Sequence, residues 1–148
     1  MGQTQFMPTA FKKYAVDADH DGRRDIWGDQ ADVFDSTANY LIGYGWTPGV
    51  PWGAEVKLPA NFPWDQAEID IKKSVTEWRK LGVRALDGSP LPNSDQKASL
   101  FSGTTRHFLA YENYDALLQY NCSNSYALSV ITLGERVSRP PAAKGVLD

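Results

Sequence analysis

The amino-acid sequence predicts an α+β fold, in which helices near both ends of the chain flank a small antiparallel β subdomain. Three observations support this prediction. Apolar residues recur at helical spacing in the first 46 residues and again from Ser125 to Val137. Between these parts, apolar and polar residues alternate in short runs, as they do in strands. A Pro- and Gly-rich stretch from Trp46 to Trp64 separates the first helical pattern from the alternating one.

Two helices with an acidic loop between them are predicted near the N-terminus. The first has Pro8 in its first turn, where proline is tolerated because that N–H has no partner within a helix. Its apolar stripe consists of Met7, Phe11, Tyr14 and Ala15. Asp32 or a nearby residue can cap the second helix, and Gly45 closes it. The stripe of the second helix consists of Val33, Thr37, Tyr40, Leu41 and Tyr44.

The middle of the chain carries the signals of a small sheet. Residues 55–59 alternate like a strand, and residues 97–101 and 106–111 are predicted to form a hairpin. Between them, the capping-box spacing of Ser74 and Glu77 indicates a short helix that Gly82 ends. Asp87-Gly88 marks a turn.

The last predicted helix, residues 125–137, is apolar around most of its circumference, so we expect it to be buried.

The predicted elements divide the chain into four parts. Residues 1–46 contain the acidic loop, and residues 47–112 form the β subdomain with its connectors. Residues 113–138 return to the core with the buried terminal helix, and residues 139–148 form a frayed tail.

The composition excludes several classes of protein. Lys and Arg number 15 and are scattered in runs no longer than two, so we expect no nucleic-acid partner. The lone Cys122 excludes an internal disulfide and a Cys-rich zinc site. No apolar run approaches the roughly 18 residues of a membrane span, and the first residues lack the features of a signal peptide. We therefore expect either a cytosolic chain or one that begins within a larger protein.

Aromatic residues are frequent, with five Trp and seven Tyr, many of them beside Asn, Gln or Asp. This pattern suits a carbohydrate surface, because a flat ring covers the apolar face of a sugar while amides and carboxylates bind its hydroxyls. The alternative is that the rings fill a core. Composition alone does not separate the two interpretations.

The loop after the first helix has the first half of an EF-hand pattern. Asp17, Asp19 and Asp21 place carboxylates at every second residue, Gly22 permits a sharp turn, and the Arg23 carbonyl adds a ligand. Ca²⁺ takes about six to eight oxygen ligands, and alternate spacing lets one short loop turn several of them inward. The loop is therefore a predicted calcium site.

The loop departs from the standard pattern at its twelfth position, which is Gly28 instead of Glu. We take Asp32 as the first candidate for the closing ligand and Asp29 as the second. The alternative is a solvated acidic turn, since Asp and Gly are ordinary loop residues. For a bound calcium ion we expect a structural role, because an all-oxygen cage holds a loop in place and rarely activates a nucleophile.

Several short blocks lie along the chain in an order and spacing that are more specific than any one of them. The N-terminal blocks are GQTQFMP at residues 2–8, the loop at residues 17–27, STANYL at residues 36–41 and Gly45-Trp46. The later blocks are SVTEW at residues 74–78, LGV at residues 81–83, LLQYN at residues 117–121 and SYA at residues 125–127. Together they resemble the membrane-bound lytic transglycosylase B family of peptidoglycan-cleaving enzymes.

The resemblance implies a lysozyme-like core with an EF-hand-like calcium loop and a small β subdomain. It also implies cleavage, without water, of the β-1,4 bond between N-acetylmuramic acid (MurNAc) and N-acetylglucosamine (GlcNAc). In such a reaction a single glutamate protonates the leaving oxygen and then, as a base, helps the muramyl 6-hydroxyl close a 1,6-anhydro ring. The implied partners are peptidoglycan glycan strands in the periplasm, with an outer-membrane anchor if a further N-terminal part supplies one. We expect a monomer.

In the family, the catalytic glutamate lies on a helix that precedes the first of these blocks, so we assign no catalytic residue in this chain. The glutamates present lie in segments without the family's catalytic motif. We interpret the following as surface or capping residues: Glu55, Glu68, Glu77, Glu112 and Glu135.

The resemblance assigns substrate contacts to Gln5, Tyr40, Tyr120, Asn121 and Tyr126. Their chemistry agrees, because amides bind N-acetyl and hydroxyl groups while tyrosines both stack and donate. Tyr40 and Tyr126 lie on apolar stripes, so a core role is an alternative for both.

Three functional hypotheses follow. The first is a fragment of a lytic transglycosylase that carries its glycan-binding and calcium-binding parts and is inactive alone. The second is a non-catalytic, calcium-stabilised glycan-binding module. The third, a calcium sensor that binds a partner protein, is less favoured because the chain has one acidic loop instead of a pair and no Met-rich groove.

Overall fold

The computed structural model describes residues 1–138, which contain five α-helices, five strands and one 3-10 helix, Trp64–Gln66. The helices are α1 (Pro8–Tyr14), α2 (Gln30–Gly43), α3 (Val75–Lys80), α4 (Glu112–Tyr120) and α5 (Asn124–Ser138). The strands are β1 (Gly53–Lys57), β2 (Lys72–Ser74), β3 (Arg84–Ala85), β4 (Lys97–Ser102) and β5 (His107–Ala110). The predicted α+β class is confirmed. The predicted tail, residues 139–148, lies outside the described residues.

Helices α1 and α2 pack against each other on either side of the acidic loop. The N-cap of α2 is Asp29, whose side chain accepts a hydrogen bond from the backbone N–H of Asp32 at 3.0 Å. Asp29, three residues before Asp32, therefore caps the helix, and the Asp32 carboxylate remains free for other contacts. At the other end of α2, Gly43 lies against Tyr14, and a Cβ at this position would clash with the ring. The predicted closing residue, Gly45, follows the helix with a φ of 98°.

The five strands form one antiparallel sheet in the order β2-β4-β5-β1-β3. Strands β4 and β5 are the predicted hairpin, with Leu100 opposite Leu109 and Phe101 opposite Phe108. Because side chains alternate along a strand, the two pairs lie on opposite faces of the sheet. The leucines join a core around Trp78 of α3, and the phenylalanines join a second core beneath α4 and α5.

The short helix α3 begins with the predicted capping box. The Ser74 side chain accepts from the backbone N–H of Glu77 at 3.2 Å, and the Glu77 carboxylate accepts from the backbone N–H of Ser74 at 2.7 Å. Trp78 is fully buried and donates its indole N–H to the carbonyl of Ala98 at 2.9 Å. Helix α3 is thereby fixed to one face of the sheet, and Gly82 follows it with a φ of 86°.

The C-terminal region differs from the prediction. It contains two helices where the apolar periodicity predicts one, and α5 is not buried. Only Ala127 and Ile131 of α5 are buried, whereas Leu133 and Val137 are 64% and 76% exposed. The prediction of a buried terminal helix is wrong because α5 packs along one side only, and the other side has no cover within residues 1–138.

Among residues 1–138, none of the helices is both long enough and apolar enough to cross a bilayer.

Candidate functional site

Three of the five predicted substrate residues line one pocket. Gln5 comes from the N-terminal loop, Tyr40 from α2 and Tyr120 from the end of α4, and they meet at a cavity of ≈ 190 Å³. Four residues of the N-terminal segment and α1 complete the lining: Thr4, Phe6, Met7 and Ala10. Folding thus brings together side chains that are far apart in the sequence.

The two tyrosines are held by hydrogen bonds to backbone carbonyls. The Tyr120 hydroxyl donates to the carbonyl of Thr4 at 2.5 Å, and the Tyr40 hydroxyl donates to the carbonyl of Gln119 at 3.2 Å. The two rings pack edge to face with centroids 5.2 Å apart. Together these contacts tie the end of α4 to α2 and to the N-terminal loop, so the pocket depends on tertiary packing.

Both phenols keep their protons over the physiological range. Burial raises the pKa of Tyr40 to about 12, with further contributions from the neighbouring Tyr44, Tyr14 and Tyr120. Burial also raises the pKa of Tyr120. The pocket therefore presents neutral hydroxyl groups. Because each one donates its proton to a backbone carbonyl, its oxygen remains available to accept a hydrogen bond from a ligand.

Gln5 has an unusual backbone conformation at the pocket entrance. Its φ is 56°, in the left-handed region that residues other than glycine adopt infrequently. Its side-chain Nε2 donates to the carbonyl of Gly2 at 2.8 Å, whereas its Oε1 makes no hydrogen bond within residues 1–138. The amide therefore retains an acceptor that can bind a sugar hydroxyl or N-acetyl N–H.

The remaining two predicted substrate residues lie outside the pocket lining. Asn121 follows α4, where its side-chain oxygen accepts from the backbone N–H of Ser123 at 3.1 Å. Tyr126 lies in the first turn of α5 and is 38% exposed, so the core alternative for this residue is wrong. Tyr40 combines both roles, since it is half-buried among aromatic rings and also lines the pocket.

The acidic loop gathers three carboxylates at one point. One oxygen each from Asp17, Asp19 and Asp32 lies within 4.8 Å of the others. Asp32, which is 1% exposed, reaches the loop from the first turn of α2. Its Oδ1 accepts from the backbone N–H of Ala18 at 2.7 Å and its Oδ2 from that of Asp25 at 2.6 Å. Asp32 therefore joins both ends of the loop to the helix.

Three further candidates are placed differently. The Asp21 carboxylate accepts from the backbone N–H of Arg23 at 2.8 Å, and both residues are exposed outside the three-carboxylate group. Asp29, the second candidate for the closing ligand, caps α2 instead. The turn itself is formed by His20 and Gly22, which have φ values of 64° and 89°.

Carboxylates at this spacing affect one another. The backbone N–H of Asp21 lowers the pKa of Asp19, but partial desolvation and the nearby carboxylates of Asp21, Asp29 and Asp32 outweigh it, so the pKa of Asp19 is raised. A divalent cation would reverse this repulsion, because it favours the ionised form of each ligand. All donors here are oxygens, which fits a hard cation such as Ca²⁺.

Comparison with known proteins identifies the family. The family model described as "Transglycosylase SLT domain" matches residues 1–135. The chain belongs to this family. It is similar to membrane-bound lytic murein transglycosylase B of Escherichia coli (strain K12), with 34% identity over 144 residues that cover 93% of this chain and 38% of that protein. The family predicted from the sequence is therefore confirmed.

Two solved structures are also similar to this chain. SltB3 from Pseudomonas aeruginosa, in complex with NAG-anhNAM-pentapeptide, is 50% identical with a TM-score of 0.83, and the match covers 88% of this chain and 36% of that one. Escherichia coli Slt35, in complex with calcium, is 32% identical with a TM-score of 0.75 over 93% of this chain and 43% of that one. The chain thus spans less than half the length of these relatives.

In this transglycosylase SLT domain, no carboxylate lines the described pocket. Glu55 pairs with Arg106, Glu77 caps α3, and Glu135 accepts from the indole N–H of Trp52 at 3.0 Å. Glu112 begins α4 and Glu68 is exposed. The arrangement can bind and orient a sugar through an amide and two phenols. It offers no general acid among the lining residues.

Two residues that hold the site were missed by sequence reasoning. Asp25 accepts from the backbone N–H groups of Trp27 and Gly28, each at 2.9 Å, and the bonds from Gly28 and then Trp27 lower its pKa. An Asp three residues before a Gly is a signal for such a turn. Thr4, which is 2% exposed and whose carbonyl accepts from Tyr120, has no signal in its local sequence.

Proposed function

We propose that this chain supplies a glycan-binding wall and a calcium-stabilised loop to a peptidoglycan lytic transglycosylase. The observation that carries the proposal is the convergence of Gln5, Tyr40 and Tyr120 on one pocket. The reaction is non-hydrolytic cleavage of the MurNAc–GlcNAc β-1,4 bond, giving 1,6-anhydroMurNAc. The naming of the Escherichia coli relative and the saccharide-pentapeptide bound to SltB3 support this assignment.

In this proposal the chain binds and orients the sugar but does not protonate it. The Oε1 of Gln5 accepts from a hydroxyl or N-acetyl N–H, and the Tyr40 and Tyr120 rings cover an apolar sugar face. General acid catalysis needs a carboxyl group within hydrogen-bond reach of the glycosidic oxygen. We place that glutamate on a helix outside this chain, so residues 1–148 alone are inactive. Asn121 and Tyr126 extend the contact surface beyond the pocket, and the whole assembly forms a lysozyme-like cleft.

The acidic loop is proposed to hold Ca²⁺ in a structural role. Asp17, Asp19 and Asp32 supply the central carboxylates, and a small movement of the exposed turn adds Asp21 and the Arg23 carbonyl. The calcium complex of Slt35 supports the choice of ion. A bound cation would fix the loop to α2, and through α2 it would fix the position of Tyr40.

The periplasm is the proposed location and a monomer the proposed state. Peptidoglycan glycan strands are the proposed partners, in keeping with the name of the Escherichia coli relative.

Titration of the chain with the disaccharide GlcNAc-1,6-anhydroMurNAc, followed by NMR, tests the pocket. We expect weak binding that moves the resonances of Gln5, Tyr40 and Tyr120, because an incomplete cleft leaves much of the sugar in water. Gln5→Asn tolerates the positive φ but shortens the amide by one methylene group, and it should weaken binding about fivefold, the effect of one lost hydrogen bond. Gln66→Asn, outside the pocket, is the matched control.

Resonance changes confined to other surfaces, or an affinity that Gln5→Asn and Gln66→Asn lower equally, would contradict the proposed pocket.

The absence of a carboxylate from the pocket lining favours a second candidate, a non-catalytic glycan-binding module. Both candidates predict binding, so activity of a longer chain distinguishes them.

A further inference from the structure

A second groove runs between α5 and the sheet, away from the pocket of Gln5. It consists of two neighbouring cavities, of ≈ 240 and ≈ 410 Å³, that share Arg106, Leu128 and Thr132. Glu55 and Glu135 line the smaller cavity, and Arg136 lines the larger one. The proposed glycan pocket shares no lining residue with either cavity.

The acidic side of the groove is held in a defined position. The indole N–H of Trp52 donates to Oε1 of Glu135 at 3.0 Å, which orients the carboxylate and leaves Oε2 available. Glu55, in contrast, receives two hydrogen bonds from Arg106, at 2.9 and 2.6 Å. Its charge is therefore matched, whereas Glu135 has no ion-pair partner among residues 1–138.

The basic side is formed by the next residue of α5. Successive residues of a helix point about 100° apart, so Glu135 and Arg136 face different cavities on either side of Thr132. Arg106 lies over the Phe108 ring at 5.0 Å and is paired with Glu55. Arg136 has no such pair in the described part of the chain. The groove thus offers one carboxylate and one guanidinium with the apolar Leu128 beside them.

We propose that this groove binds a short zwitterionic peptide, with its ammonium group at Glu135 and a carboxylate at Arg136. The occupant is the stem peptide of the glycan strand, and in this respect the inference rests on the proposed function. Arg136 lies ten residues after Tyr126, which is about 15 Å along a helix. An extended pentapeptide reaches about 17 Å, so a stem leaving a sugar near Tyr126 spans the groove.

The test measures binding of three probes to the 148-residue chain by NMR titration. The probes are the GlcNAc-MurNAc disaccharide, the same disaccharide carrying a pentapeptide with a free side-chain amine, and the free pentapeptide. We expect the pentapeptide to increase the affinity of the disaccharide about fivefold, as exposed ion pairs of this kind do. The free pentapeptide should move the resonances of Thr132, Glu135 and Arg136.

Two variants separate the ends of the groove. Arg136→Gln should remove most of the gain from the pentapeptide without changing the affinity of the bare disaccharide. Glu135→Gln retains an acceptor for Trp52, and it should weaken only ligands whose side-chain amine is free, not those in which it is acetylated. Arg79→Gln, on α3 at the other face of the sheet, is the matched control. Far-UV circular dichroism checks that each variant is folded.

The outcomes for the groove and for the glycan pocket are distinguishable. Equal affinity for the disaccharide with and without its pentapeptide, and no movement of Arg136 resonances, would overturn the groove inference while leaving the glycan pocket intact. Binding of the free pentapeptide at Arg136 without any binding of the bare disaccharide would support the groove and contradict the glycan pocket.

Discussion

Asp32 uses both of its side-chain oxygens to accept hydrogen bonds from the acidic loop. Its two oxygens accept from the backbone N–H groups of Ala18 and Asp25, and one also faces the carboxylates of Asp17 and Asp19. At the residue scale, this geometry makes Asp32 both the connection between the loop and α2 and a proposed cation ligand. Asp29 takes over the capping role that would otherwise occupy it.

We predict that calcium raises the melting temperature of the chain, because a ligand bound only by the native state stabilises that state by mass action. At a concentration about a hundred times Kd, the rise should be about 5–10 °C for a domain of this size. Asp19→Asn should remove most of the rise, and Asp35→Asn, exposed on α2, should not. Differential scanning calorimetry with calcium or chelator checks this prediction, and an unchanged rise in Asp19→Asn would contradict it.

In the presence of chelator, the raised pKa of Asp19 predicts that replacing this carboxyl group does not destabilise the chain. A carboxyl whose pKa is higher in the folded state than in the unfolded state loses stability as pH rises through the interval between the two values. Without calcium, Asp19→Asn should therefore be at least as stable as the wild-type chain at pH 7. The two should converge at pH values below the ordinary pKa of 3.8. Urea denaturation at several pH values measures this, and a chelated variant that is less stable at pH 7 would count against it.

At the element scale, α4 is joined to the connector after α2 by one buried side chain. Asn113, which is 1% exposed, accepts from the backbone N–H of Thr47 at 2.7 Å and donates to the carbonyls of Thr47 and Val50 at 2.9 and 2.8 Å. The side-chain oxygen of Asn113 and both N–H groups of its amide are therefore engaged in hydrogen bonds. Asn113 thus determines where the connector enters the sheet.

We predict that Asn113→Ala lowers the free energy of unfolding by about 2–3 kcal/mol, since it leaves buried backbone groups without partners. Asn61→Ala, at an exposed position, should change it by less than about 0.5 kcal/mol. Urea-induced unfolding followed by tryptophan fluorescence provides both values. Equal small effects for the two variants would show that water replaces the Asn113 amide.

The capping box of α3 predicts a pH dependence. The backbone N–H of Ser74, followed by its hydroxyl, lowers the pKa of Glu77 below 4.5. A lowered pKa contributes stability that is present above the unfolded value and is lost as pH falls through the folded value. Glu77→Gln should therefore be less stable than the wild-type chain at pH 7, with the difference disappearing at the acid end of a urea series. Glu68→Gln, which removes the same charge from an exposed position, should show no such trend.

Local elements were largely predictable from the sequence because their signals are local. The β4–β5 hairpin, the capping box at Ser74 and the glycine after α2 each depend on a few neighbouring residues. The partial exposure of α5 was not predictable, because apolar residues such as Leu133 show only that a side can be buried. Whether a side is covered depends on packing between elements distant in sequence.

At the scale of the whole molecule, the candidate pocket also depends on packing between distant elements, which local sequence does not predict. The residue types of Gln5, Tyr40 and Tyr120 suit a sugar, but the family resemblance was needed to select them, because periodicity gave Tyr40 an equally good core role. Their convergence depends on the hydrogen bonds that join the end of α4 to Thr4 and α2 to Gln119. Asn121 and Tyr126, selected in the same way, lie outside the pocket lining. Their contact with substrate stays a prediction.

The whole chain combines a proposed binding surface with a pocket that no carboxylate lines among the described residues. Two acids outside this lining are nonetheless near its elements: Asp35 is exposed on α2, and Glu112 begins α4. A general acid must come within hydrogen-bond reach of the glycosidic oxygen. The proposal that this chain binds the sugar while another part of the protein transfers the proton therefore requires that Asp35 and Glu112 do not reach the glycosidic oxygen.

Chromatography of peptidoglycan digests is the most direct measurement of this division. We predict that residues 1–148 release no 1,6-anhydromuropeptides from purified peptidoglycan, whereas a longer chain with a glutamate-bearing helix before Gly2 releases them and loses this activity when that glutamate is changed to Gln. Release of anhydro products by residues 1–148 alone, abolished by Asp35→Asn or Glu112→Gln, would contradict the prediction and place the catalytic acid within this chain.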